Sequence, residues 1–283
     1  MSLKLKSILH DKQYEVYNDP ARFKILMWGR RSGKSYLVCH IILKTVSEGN
    51  KICWIVAPTA NDADEIYTDT LQEIIRQYGW GEAGKLSNPK CNYEIKDRGL
   101  LYQFRNGSKI YLKSSDRQDR LKGRGIDIEI LDEFVAFERK EKWSSIYLPL
   151  LNPNGKMVII STPAESYDEF YRIWEMGQKG ISGWKSWKET SFINDKFPGL
   201  KEDIKFKMQF MPLAQYKREY LCEFGETTNK CAHDFSEVNN IRNLPVIFKE
   251  RELRIGCDFN NVLVQRKMDT RVDLVLYNYT AFL

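Results

Sequence analysis

The stretch Trp28-Gly29-Arg30-Arg31-Ser32-Gly33-Lys34-Ser35 constrains the fold of this chain more than any other. It follows the apolar run Phe23-Lys24-Ile25-Leu26-Met27 and precedes a helical pattern carried by Tyr36, Leu37, Val38, Ile41 and Ile42. A strand, a glycine-bearing turn and a helix start closing on Gly-Lys-Ser is the layout of a phosphate-binding P-loop. The order has a physical reason. Backbone N–H groups of the turn wrap phosphate oxygens, and the helix N-terminus adds partial positive charge. In this reading Arg30, Arg31, Ser32 and Gly33 form the turn, Lys34 reaches the β/γ-phosphates and Ser35 binds Mg²⁺. The pattern is broken once: Trp28 stands where the first glycine is expected. The bland alternative is a glycine turn beside a surface lysine.

Around the loop, strand-like and helix-like segments alternate. Phe23–Trp28 reads as a strand and Lys34–Ser47 as a helix; Lys51–Ala57 is a strand stopped by Pro58. Asn61–Tyr78 is predicted helical, with Ile66, Thr70, Ile74 and Ile75 near one face and Asn61 or Asp62 as cap. Leu100–Arg105 and Lys109–Lys113 flank Asn106-Gly107, a strong hairpin signal. Ile126–Leu131 and Met157–Ile160 are nearly continuous apolar runs, as in strands buried on both faces. Asp168–Met176 and Pro212–Leu221 look helical. The class is α/β, a sheet with helices on both faces. From Thr227 to Arg251 the pattern is polar and irregular and reads as a linker. Leu253–Phe259 then looks like a new strand ending near Asp258, with only 25 residues after that acid.

Three further segments carry chemistry. Ile126 to Phe134 is a strand ending in Asp132-Glu133, about a hundred residues after the loop, as in a Walker B element. Asp132 would hold Mg²⁺ through water, and Glu133 would polarise the attacking water as a general base. Ser161 and Thr162, closing the run Met157–Ile160, are placed to couple γ-phosphate occupancy to motion. Gln13, upstream of the loop, is a candidate to read an adenine edge through its amide. Arg30 and Arg31 have two readings: a guanidinium on transferring phosphoryl charge, or a salt bridge to a carboxylate.

Net charge is +6, and basic residues concentrate between Lys85 and Arg124. Arg117, Arg120, Lys122 and Arg124 form a loop that could contact DNA or reach a neighbour's nucleotide; a solvated charged face is the competing reading. Six cysteines without a CxxC pair fit free thiols in a reducing compartment. Cys222, Cys231 and His233 lack the pairing of a zinc site. No signal peptide or bilayer-length apolar run is evident, so an intracellular protein without a membrane partner is expected.

Jointly, Gln13, Gly29 to Ser35, Val56-Ala57-Pro58-Thr59, Asn106-Gly107-Ser108, Leu121-Lys122-Gly123-Arg124-Gly125, Leu131-Asp132-Glu133, Ser161-Thr162-Pro163 and Arg218-Glu219-Tyr220-Leu221 resemble the large terminase subunit of tailed bacteriophages. The resemblance implies a RecA-like P-loop ATPase domain over residues 1–225. A linker (226–250) and a truncated start of an RNase H-like nuclease domain (251–283) would follow, with Asp258 as a nuclease metal ligand and no working nuclease. It also implies ATP hydrolysis with Mg²⁺, driving viral double-stranded DNA into proheads, and assigns Arg30 a catalytic role in cis. The implied partners are the DNA, a portal protein, a small terminase subunit and other copies in a ring, in the host cytoplasm and transiently on the prohead. The alternatives are a superfamily 2 helicase-like DNA-dependent ATPase, which needs a second RecA-like domain, and a non-catalytic DNA-binding assembly subunit.

Overall fold

The apolar runs become the middle of one sheet, and the polar segments between them become its turns and helices. In chain order the elements are α1 (Asp11–Asn18), β1 (Phe23–Trp28), α2 (Lys34–Val46), β2 (Ile52–Ala57), α3 (Ala60–Gln77), β3 (Tyr93–Lys96), β4 (Leu101–Phe104), β5 (Lys109–Ser114) and β6 (Ile126–Asp132). There follow α4 (Trp143–Ile146), β7 (Leu151–Ser161), α5 (Glu169–Gln178), β8 (Trp184–Glu189), α6 (Leu200–Lys207) and α7 (Leu213–Leu221). The structure is a computed structural model that describes residues 5, 7–116, 125–164, 168–224, 254–259 and 262–267. It divides into two compact units, Met1–Gly225 and Glu226–Leu283. In the second, β9 (Arg254–Phe259) pairs antiparallel with β10 (Val262–Lys267).

The first unit holds an eight-stranded sheet in the order β3-β4-β5-β2-β6-β7-β1-β8. From β5 to β8 every pairing is parallel, and β3 and β4 add an antiparallel edge. Parallel strands demand cover on both faces, and the core divides accordingly. Leu26, Trp28, Ile128, Ile130 and Ile160 pack with α2 and α3 on one face; Ile25, Met27, Leu131, Met157 and Ile159 pack with Phe134, Trp143, Tyr147 and Phe170 on the other. A small separate core of Leu200, Ile204, Tyr216 and Tyr220 joins α6 to α7.

Several sequence expectations are corrected. Thr59, not Asn61 or Asp62, caps α3: its hydroxyl accepts from the Asp62 N–H at 3.1 Å, and the Asp62 carboxylate accepts from the Thr59 N–H at 3.0 Å, a reciprocal capping box. The inner face of α3 is Ala63, Tyr67, Leu71, Ile74 and Ile75, with Ile66 and Thr70 at its margin. The strand expected at Met157–Ile160 begins at Leu151, because the polar stretch before Met157 pairs alongside β6 across a bulge. β8 escaped notice because its Trp-Lys-Ser-Trp-Lys-Glu sequence lacks an apolar run. α1, β3 and α6 were also missed, being short and mostly polar. Among the described residues, no helix is long and apolar enough to cross a membrane.

Candidate nucleotide site

The carboxyl ends of the parallel strands define one edge of the sheet, where open α/β folds place their ligands. β1 ends at Trp28, which is fully buried 5.7 Å from the His10 ring. The indole thus fills core at the position where a P-loop usually has glycine. The tight approach moves to Gly29. A Cβ there would lie 2.3 Å from Ser191 Oγ, 2.7 Å from Ser191 N and 2.9 Å from the Tyr220 carbonyl. Arg31 and Gly33 take positive φ, 58° and 88°, and the chain then enters α2.

The loop is held from both sides. From α1, Gln13 Nε2 donates to the Gly33 carbonyl at 2.8 Å while its Oε1 accepts from the His10 N–H at 3.0 Å. One end of the amide expected to read adenine therefore supports the loop, and the other closes the capping box of α1. His10 Nε2 donates to the Ser32 carbonyl at 3.0 Å, and burial lowers its pKa. From the opposite side, Asn194 Nδ2 donates to the Arg31 carbonyl at 2.8 Å. Arg30 Nε meets Glu219 Oε2 of α7 at 3.0 Å, and the Arg30 N–H donates to the Glu219 carbonyl at 2.8 Å. Of the two readings open for Arg30, the structure displays the ion pair. The Arg31 guanidinium lies 5.7 Å above the Phe197 ring.

Lys34 is buried, and its ammonium donates to the Trp28 and Gly29 carbonyls at 2.9 and 3.0 Å. Across the site, Asp132 ends β6 with 1% exposure. Its Oδ2 accepts from the Tyr67 hydroxyl at 2.5 Å and its Oδ1 from the Glu133 N–H at 2.8 Å. Ser35 stands in the first turn of α2, on the wall of the same site. Burial first, then the Glu133 charge, push the Asp132 carboxyl up to about 6; Tyr67 and Lys34 oppose the shift. Glu133 sits at φ 49°, a costly left-handed conformation for glutamate, and lines a cleft of about 940 Å³ with Arg30, Lys34, Ser35, Asp62 and Lys207. β7 runs between β1 and β6, so its end, Ser161, stands between the loop and Asp132. Ser161 Oγ accepts from the Val135 N–H at 3.3 Å, and Thr162 follows at the strand end.

The structure therefore brings Gln13, Arg30, Arg31, Ser32, Gly33, Lys34, Ser35, Asp132, Glu133 and Ser161 to one edge. Sequence reasoning missed Tyr67, His10 and Asn194. A tyrosine on the inner face of a helix, needing a partner for its buried hydroxyl, was the one available signal. Arg117, Arg120, Lys122 and Arg124 lie outside the described residues, as does the side chain of Asp258. Within the remaining basic stretch, Arg105 donates to the Leu86, Asn88 and Cys91 carbonyls, and Lys113 covers the Trp54 and Tyr111 rings. Those two cations hold structure. Cys39, Cys53 and Cys222 are buried free thiols, and Cys222 Sγ donates to the Met27 carbonyl at 3.3 Å.

A family model described as the N-terminal part of the T4likevirus-type terminase large subunit matches residues 25–233. The chain belongs to this family. Large terminase subunits from Thermus phage G20c and Thermus virus P23-45 are 27% and 26% identical over 256 and 253 residues, in each case 78% of this chain and 49% of the relative. The chain thus spans about half the length of these curated terminases. Among solved structures, the large terminase ATPase domain of Thermus phage P74-26 superposes with a TM-score of 0.62 at 23% identity, covering 76% of this chain and 94% of that one. The large terminase of another thermophilic bacteriophage, in complex with ATP-gamma-S, gives 0.61 at 14%, covering 88% and 61%. The eight-stranded sheet with helices on both faces is therefore the fold of a large terminase ATPase domain.

Proposed function

We propose that this chain binds ATP with Mg²⁺ and hydrolyses it as the motor subunit that drives viral double-stranded DNA into a prohead. The observation that carries the reading is the meeting of Lys34, Ser35, Asp132 and Glu133 at one sheet edge around a cleft large enough for a nucleotide. Lys34, now bound to two loop carbonyls, exchanges them for phosphate oxygens. The N-terminus of α2 supplies backbone donors to the same group. The donor set fits a divalent cation: the Ser35 hydroxyl and the buried Asp132 carboxyl, the latter held by Tyr67, stand at one sheet edge with Lys34. Ser35 and Asp132 would hold Mg²⁺, which neutralises phosphate charge when bound. Glu133 orients the attacking water and takes its proton; its positive φ aims the carboxylate into the cleft rather than along the strand. Arg30, released from Glu219, is the candidate to stabilise transferring charge, and Ser161 and Thr162 to sense the γ-phosphate.

The wider assignment rests on family membership and the fold. It comprises DNA as the moved substrate, a portal protein and a small terminase subunit as partners, and a ring of copies, in the host cytoplasm and transiently on the prohead. Residues 251–283 are proposed as the start of a nuclease-like domain with Asp258 on β9, after a linker at 226–250. The test is phosphate release by the purified chain with and without duplex DNA. Turnover that requires Mg²⁺ and disappears in Lys34→Ala is the expected result. Wild-type turnover in that variant would refute the site.

A further inference from the structure

At the other end of the sheet, β1 carries a lysine into the core. Lys24 points to the same face as Leu26 and Trp28 and is only 6% exposed. Its ammonium donates to the Val16 carbonyl at 2.5 Å. That bond caps one orphan carbonyl at the end of α1 and uses one of three N–H donors. Among the described residues Lys24 makes no ion pair, an unusual state for a buried cation.

Lys24 lines a cavity of about 260 Å³, roomy beside the ~30 Å³ that a water occupies in the liquid. Lys44 of α2 and Lys156 of β7 line it too, and neither has an ion pair among the described residues. Lys44 leans over the Tyr17 ring, 4.6 Å from its centroid. Both acids on the cavity wall are engaged elsewhere. Asp19 binds Lys185 at 2.5 Å and accepts from the Ala21 N–H at 2.8 Å; Glu48 meets Lys51 at 3.4 Å. Three ammonium groups thus face one small space with their negative neighbours already taken. The same crowding shows in the titration of Lys24. Burial lowers it to about 8, Lys44, Lys156 and Lys185 push the same way, and Asp19 opposes them.

We infer that this cavity is an anion site, built to take a phosphate group on Lys24, Lys44 and Lys156. The helix ends nearby present carbonyls, which repel anions, and Arg22, also on the wall, has its Nε on the Gly155 carbonyl at 2.7 Å, so the lysines carry the binding and neutralising them weakens the site. The phosphate can come from the free ion or from a DNA backbone. This site shares no residue with the P-loop and does not rest on the ATPase reading.

The experiment titrates inorganic phosphate, and separately a short DNA duplex, into the full chain carrying Lys34→Ala, so that the P-loop lysine does not compete. Lys44→Gln with Lys156→Gln alters two exposed side chains and should leave folding intact; Lys24→Met probes the buried one. The expected result is phosphate binding that weakens about tenfold or more in the double variant. If the free ion does not bind but duplex affinity drops by that factor, the site serves backbone phosphate. If neither affinity changes by more than about twofold in the double variant, the inference is wrong, whatever Lys24→Met does.

Discussion

The cleft has two walls of different construction. One is the parallel sheet, whose strands β1 and β6 are nearly all buried and end at Trp28 and Asp132. The other is the segment from Ser191 to Leu221, whose own core is four side chains and which leaves Phe206, Phe210 and Leu213 at 59, 73 and 61% exposure. Both touch the same loop. On the sheet's side it is held by Lys34 at the start of α2 and by His10 and Gln13 of α1; the segment holds it through Asn194, Glu219 and the close approach at Gly29. Regions with few buried apolar contacts open at low free energy, and packed cores do not. The comparison teaches a division of labour. The sheet side is the fixed wall, and the segment is the one that opens more readily.

The largest expected effect tests the rigid wall. Glu133→Gln keeps shape but loses the base, so turnover should fall by about 10²–10⁴-fold with near-normal ATP affinity; equal hydrolysis by both proteins would remove Glu133 from the chemistry. Next is Asp132. Its folded value of about 6 lies above its ordinary 3.8. Between those values the folded chain holds a proton that the unfolded chain has lost, so stability falls as pH rises through this window. Above it the ionised carboxylate costs on the order of 2–3 kcal/mol. Asp132→Asn should therefore stabilise the nucleotide-free protein at neutral pH and flatten the pH profile between 4 and 6, while weakening the dependence of turnover on Mg²⁺. Denaturant midpoints across that range check the sign, and a loss of stability at neutral pH would contradict it.

Gly29→Ala tests the joint between the walls. Its Cβ would meet backbone atoms of Ser191 and Tyr220, which cannot rotate away. Overpacking of this kind costs about 1–3 kcal/mol, read as a lowered urea midpoint. A neutral substitution would mean that the segment moves aside freely. The smallest effect belongs to the Arg30–Glu219 pair. The arginine side chain is 60% exposed, so Arg30→Ala should cost at most about 1 kcal/mol of stability. A fall in turnover well beyond that, with ATP affinity kept, would place Arg30 on the transferring phosphate.

The rigid wall was the more legible of the two. Continuous apolar runs ending in Gly-Lys-Ser, Asp-Glu and Ser-Thr announce strands and their tips, because burial on both faces leaves a pattern that composition alone reveals. Gln13 was found, but its amide supports the Gly33 carbonyl, which no local pattern encodes. Tyr67 was passed over because its importance comes from a partner 65 residues away. Glu219 was visible as part of a motif, yet its pairing with Arg30 depends on how α7 folds back over the loop. Lys24 was hidden inside an apolar run, where one charged residue reads as noise.

β7 is eleven residues long, but only Lys156–Ser161 runs as regular strand, roughly 20 Å at the usual rise per residue; before it, a five-residue advance in β7 faces a two-residue advance in β6. It is hydrogen-bonded to β6 on one side and β1 on the other along Met157–Ile160. One end of that regular part carries Ser161 and the other adjoins the turn around Gly155. Its central amides should be among the last in the chain to exchange with deuterium, released only when the whole unit unfolds. That part, so clamped, does not flex between its ends. A displacement imposed on Ser161 would reach the far end of this clamped part only as movement of one body, a rod rather than a spring.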